Sequence, residues 1–186
     1  MVNLDQLNKM DLNYKMLSLW RHPVDNIYSW WTRGWGERFN NDPRGFTILV
    51  SGGGELFPWY AVGMEDELAG LNPMEKCVRI ATDLLARAID QFVRNQEKSR
   101  IHLLTFEDFC KQTDSELARI CTFLGTAPSA HTARYLVAAR SPRTLNPAEQ
   151  QAKRDKFKQG MRPEIYDLLL DYSARYEKNV YGLKAN

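Results

Sequence analysis

At 186 residues, 44% hydrophobic and 11% aromatic, the chain is long and apolar enough to bury a core, so disorder is not its default. Lys and Arg number 25 against 23 Asp and Glu, and the net charge of +2 with interleaved signs gives no support to a nucleic-acid binder or a basic membrane-surface protein. Three cysteines, Cys77, Cys110 and Cys121, form no C-x-x-C and have no histidine at ligand spacing, so neither a disulfide framework nor a metal site is indicated. Residues 1–14 are polar without a signal layout, and no apolar run reaches the roughly 18 residues of a spanning helix. The expectation is a cytoplasmic protein with free, buried thiols.

Residues 14–20, Y-K-M-L-S-L-W, are a short apolar run ended by Arg21 and Pro23, which predicts a buried strand. Pro23 then suits the first turn of a helix whose Val24, Ile27, Tyr28 and Trp31 share one face. Residues 34–70 hold an apolar run at 46–50 that is compatible with a strand, then S-G-G-G at 51–54 and the aromatic group Phe57, Trp59 and Tyr60, and the stretch reads as a long irregular excursion or lid on the substrate side. A long helix follows from the N-cap Asn72 and Pro73 to about Asn95, with Cys77, Ala81, Leu84, Leu85, Ala88, Ile89 and Phe92 on its apolar face.

I-H-L-L-T at 101–105 is the second expected strand, and Thr113 with Glu116 predicts a capping box for a helix closing at Gly125. Three more helices are expected over 129–139, 147–157 with Asn146 as its cap, and 163–180. Strands alternating with longer helices predict a single α/β domain over 1–186, a small parallel sheet flanked by helices with a helix-rich C-terminal half.

Ligands of an open parallel sheet sit beyond the carboxyl ends of its strands, and Arg21 lies at such an end. Its planar guanidinium binds two oxygens of a phosphate at once and stays charged at any relevant pH. Ser29, eight residues on inside the next helix, offers a further hydroxyl donor.

The run W-R-H-P-V-D-N-I-Y-S-W-W resembles the 3′-phosphate-binding segment of sulfotransferases, where Arg-x-Pro-x-Asp at a strand end is followed by serine eight residues after the arginine. Downstream, L-L-T-F-E-D-F and then E-L-A-R-I-C-T-F-L-G are similar to the family's strand ending in Tyr-Glu-Asp and its helix ending in Phe-Leu-Gly. The C-terminal Y-E-K-N-V-Y-G-L resembles the tail of some bacterial and oligosaccharide-type members. The resemblance implies a partial P-loop-NTPase-like fold, with 3′-phosphoadenosine 5′-phosphosulfate (PAPS) as donor and a hydroxyl or amine on a small molecule or glycan as acceptor. It further implies that Arg21 and Ser29 hold the 3′-phosphate, that Phe106, where the family often has tyrosine, lies close to the adenine, and that Lys153, Arg154, Lys156 and Lys158 fall near a basic segment closing over the nucleotide.

The sequence also departs from the family. Sulfuryl transfer needs clamping of the 5′-phosphosulfate and a base for the acceptor's proton, yet no Pro-Lys-x-Gly-Thr loop occurs in the chain and no histidine precedes His22. The expectation is an N-terminally truncated domain in which these parts lie upstream of Met1. A second reading is a non-catalytic α/β module that binds nucleotide or protein. Among single residues, His22 reads as positional, and His102 and His131 as structural. Glu107 and Asp108 are expected to cap or orient the turn after the second strand.

Overall fold

The structure, a computed structural model, describes residues 3–10, 12–36, 48–52 and 55–183. A short helix, α1 (Leu4–Lys9), precedes strand β1 (Met16–Trp20), and Pro23 at the first turn opens α2 (Pro23–Thr32). β2 (Leu49–Gly52) and β3 (Glu55–Pro58) pair as an antiparallel hairpin, and a 3₁₀ turn leads to α3 (Glu65–Ala69). Helix α4 (Pro73–Arg94) delivers the chain to β4 (Ile101–Thr105). After it come α5 (Phe106–Lys111), α6 (Thr113–Leu124), α7 (Thr132–Ala138), α8 (Pro147–Gly160) and α9 (Pro163–Asn179).

β1 and β4 run parallel in register from Met16 opposite Ile101 to Trp20 opposite Thr105, giving the expected small parallel sheet. Side chains alternate between its faces. Trp20 points into a cluster with Ala88 of α4 and with Tyr172, Tyr176 and Tyr181, while His102 stacks on Phe123 of α6 at 5.4 Å on the other side. On that second face Leu17 and Leu19 of β1 are exposed. The main core lies among helices: Val24 and Ile27 of α2, Cys77, Val78 and Ala81 of α4, Phe157 of α8 and Leu169 of α9 exclude solvent together.

Asn72 caps α4 as expected. Its side chain accepts from the N–H groups of Met74 and Glu75, each at 3.0 Å, and Glu75 accepts from the Asn72 N–H at 2.9 Å. The other oxygen of the buried Glu75 receives the N–H of Arg162 at 2.8 Å, tying the start of α4 to the start of α9.

Several expectations are corrected. The polar N-terminus carries α1, and the stretch read as irregular contains a hairpin and two short helical turns, although residues 37–47 and the glycines at 53 and 54 lie outside the described residues. The Thr113–Glu116 capping box does not form. An unexpected helix, α5, runs into α6 with one residue between, so the Thr113 hydroxyl serves the Phe109 carbonyl at 2.8 Å, and Glu116 pairs with Arg119 instead. Cys121 is only half-buried, whereas Cys77 and Cys110 are buried; all three are free thiols.

Candidate functional site

A cleft of about 690 Å³ opens at the carboxyl ends of β1 and β4, where α2, α5, α8 and the last turns of α9 converge. Arg21 enters it directly from the end of β1 and Phe106 directly from the end of β4. The Arg21 guanidinium carbon stands 4.6 Å from the centroid of the Phe106 ring, and that of Arg143 stands 4.7 Å from the same ring. Two cations therefore gather on one aromatic platform. The Nε of Arg21 is buried and has no hydrogen-bond partner among the described residues, an expense that a ligand oxygen in the cleft would remove.

Five carboxylates also line the cleft, so a count of charges alone would not make it an anion site. Their engagement decides otherwise. Asp25 receives Lys153 and, at 3.1 Å, Gln150. Burial pushes its carboxyl up, but those two hydrogen bonds and the charges of Lys153 and Arg21 outweigh it and leave Asp25 below its ordinary value. Glu177 receives the His22 ring at 2.9 Å and Arg154, and against the upward push of burial these partners hold it low as well. Asp108 accepts from the Thr105 hydroxyl at 2.7 Å, and Glu149 from Asn146 at 3.4 Å. Glu107 accepts from the His22 backbone N–H at 2.9 Å and from the Tyr176 hydroxyl. By contrast, no ion pair among the described residues engages Arg21, Lys111 or Arg143. Arg21, Lys111 and Arg143 thus keep their charge free of a carboxylate partner, while Glu107 and Glu149 are held by neutral donors.

His22 is held on every side. Its Nδ1 accepts from the Val24 N–H at 3.2 Å and caps α2, which leaves the proton on Nε2 for Glu177. The reading of His22 as positional agrees with this geometry, as does that of Glu107 and Asp108 as residues organising the turn after β4.

Arg21 and Phe106 are thus brought together, whereas Ser29 is not among the residues lining the cleft. It lies half-buried on α2, four residues and about one turn beyond Asp25 on the same face. Of the basic segment, Lys153 reaches the cleft through Asp25, Arg154 pairs with Glu177, and Lys156 donates to the Tyr28 hydroxyl at 3.3 Å. Arg143 was missed because it sits in an irregular connection with no periodicity. Its N–H donates to the Cys110 carbonyl at 3.0 Å and the Ser141 hydroxyl meets that of Thr113 at 2.7 Å, tertiary contacts that carry it back to Phe106. Trp30 and Trp35 stack at 5.8 Å and pack against the core rather than the cleft.

The model of the sulfotransferase domain matches residues 2–162, most of the chain. The chain belongs to the sulfotransferase domain family. Among solved structures, the sulfotransferase domain from the curacin biosynthetic pathway is similar over 90% of this chain and 56% of that one, at 14% identity and a TM-score of 0.49. The chain thus spans little more than half the length of that sulfotransferase domain. No match was found among the curated proteins. Among the described residues of this sulfotransferase-family chain, no helix is long and apolar enough to cross a membrane, and no group of side chains is placed to hold a metal ion.

Proposed function

We propose that the cleft binds the nucleotide half of PAPS and that the protein takes part in sulfuryl transfer to a hydroxyl or amine on a small molecule or glycan. The observation that carries the reading is the buried, unpartnered Nε of Arg21 at a strand end where every lining carboxylate is already engaged. In this reading Arg21 takes two oxygens of the 3′-phosphate, Arg143 and Lys111 add charge within the same cleft, and Phe106 offers its ring to the adenine. Ser29, on the Asp25 face of α2, supplies a further hydroxyl. When bound, the donor would supply the sulfuryl group, which passes to the acceptor oxygen or nitrogen as adenosine 3′,5′-bisphosphate leaves.

Residues 1–186 form one domain in this reading, with Asp25, Glu107 and Glu177 holding its cationic groups and strand ends in place. A second reading, nucleotide binding without transfer, is favoured by the state of His22, whose two ring nitrogens are both committed to structural partners. Calorimetric titration tests the common part of the two. Adenosine 3′,5′-bisphosphate should bind more tightly than adenosine 5′-monophosphate, and Arg21→Ala should weaken the bisphosphate by about tenfold to a hundredfold, the worth of one charge-assisted pair of bonds. Unchanged affinity in Arg21→Ala removes the assignment. Detectable transfer by the purified chain decides for the enzyme over the binding module.

A further inference from the structure

Glu107, which follows Phe106, accepts a hydrogen bond from His22, which follows Arg21. Arg21 and His22 are consecutive at the end of β1, and Phe106 and Glu107 are consecutive at the end of β4. The hydrogen bond from the His22 N–H to Glu107 Oε1, at 2.9 Å, therefore bridges the strand ends one residue beyond the stacked pair Arg21 and Phe106. The second oxygen of Glu107 takes the hydroxyl of Tyr176, so the bridge is itself anchored to α9. The neighbouring Glu177 grips the His22 ring from the same helix.

We infer that Glu107 is a positioning residue: it holds the Arg21 guanidinium over the Phe106 ring, with Tyr176 fixing its rotamer. The inference rests on Arg21 being the anion-binding group. A carboxylate is a poor choice near a phosphate on charge alone, since like charges repel, so its place here is explained by the two donors it accepts from and not by its charge. Glutamine preserves that geometry. Its carbonyl oxygen accepts from the His22 N–H, and its amide donates to the Tyr176 oxygen. Alanine removes both bonds and frees the strand ends.

The test compares adenosine 3′,5′-bisphosphate with adenosine 5′-monophosphate in the wild type, Glu107→Gln and Glu107→Ala. Glu107→Gln should keep the preference for the bisphosphate or raise it as the repulsion is lifted. Glu107→Ala should cut that preference about tenfold, the bisphosphate losing more than the monophosphate, because misplacing a group that grips one phosphate costs that phosphate's share beyond any loss at the adenine. General damage to the fold would weaken both nucleotides alike. Retained preference in Glu107→Ala, or a Glu107→Gln as impaired as the alanine variant, overturns the inference.

A wild type with no preference for the bisphosphate sinks the reading of Arg21 as phosphate ligand, and the positioning is then read without nucleotide. The Arg21 Nε–H resonance should be sharp and single in wild type and Glu107→Gln and averaged in Glu107→Ala, and an unchanged resonance in the alanine variant overturns it. Should Glu107→Ala not fold, Tyr176→Phe removes one tether alone and should lower the preference, or average the resonance, in the same direction; no change there overturns it.

Discussion

Arg21 and Asp25 occupy the same cleft with opposite fates, and the difference lies in who else is near. Asp25 has two donors from α8, and its carboxyl sits below its ordinary value in spite of burial. A carboxyl depressed by folding stabilises the native state above its unfolded-state value and loses that contribution as the pH falls through the folded one. Glu177 and Glu75 behave in the same way, the latter held down by Asn72 and Arg162 against burial. The protein should therefore keep its stability at neutral pH and lose it progressively below about pH 4, where such carboxyls take up protons. Urea denaturation across pH 3 to 7 checks this, and Asp25→Asn should flatten the acid limb while lowering the neutral plateau. Unlike Asp25, Arg21 leaves its Nε without a protein acceptor, and that contrast separates a structural charge from a ligand-facing one.

Elements became legible where several local signals agreed. α4 has a cap, a proline at its first position and a long apolar stripe, and its boundaries match the expectation closely. Asn72→Ala should lower stability by about 1–2 kcal/mol, since it orphans the N–H groups of Met74 and Glu75 and loosens Glu75 from the box. Equilibrium urea unfolding measures it. Gly36 presses on the same helix end, where an added Cβ would come within 1.9 Å of the Pro73 carbonyl oxygen, so no larger residue fits without moving α4. By contrast, α5 was invisible because its six residues, F-E-D-F-C-K, give less than two turns of pattern. The β2–β3 hairpin was only half legible for a similar reason: the apolar run at 46–50 allowed a strand, but four-residue strands give too little alternation to tell from a loop.

Over the whole molecule, three apolar clusters share the same helices. α4 contributes to all three, and α9 joins the helical core to the aromatic cluster behind Trp20. Shared elements couple the clusters, so we expect one cooperative unfolding transition. Phe157, fully buried between α2, α4 and α9, is the probe: Phe157→Ala should cost about 3–5 kcal/mol and leave the transition single, as seen by near- and far-ultraviolet circular dichroism together. Two resolved transitions would divide the chain.

The sequence by itself determined the two parallel strands, the long helices and the identity of Arg21 as a strand-end cation, because strand length, helix caps and a 3.6-residue apolar period are written in neighbouring residues. Only the tertiary structure decided which charges stay uncommitted. Arg143 returns to Phe106 through bonds of its connection to Cys110 and Thr113, and Glu107 meets Tyr176 across 69 residues of chain. Such pairings depend on how helices pack, and no local pattern encodes them.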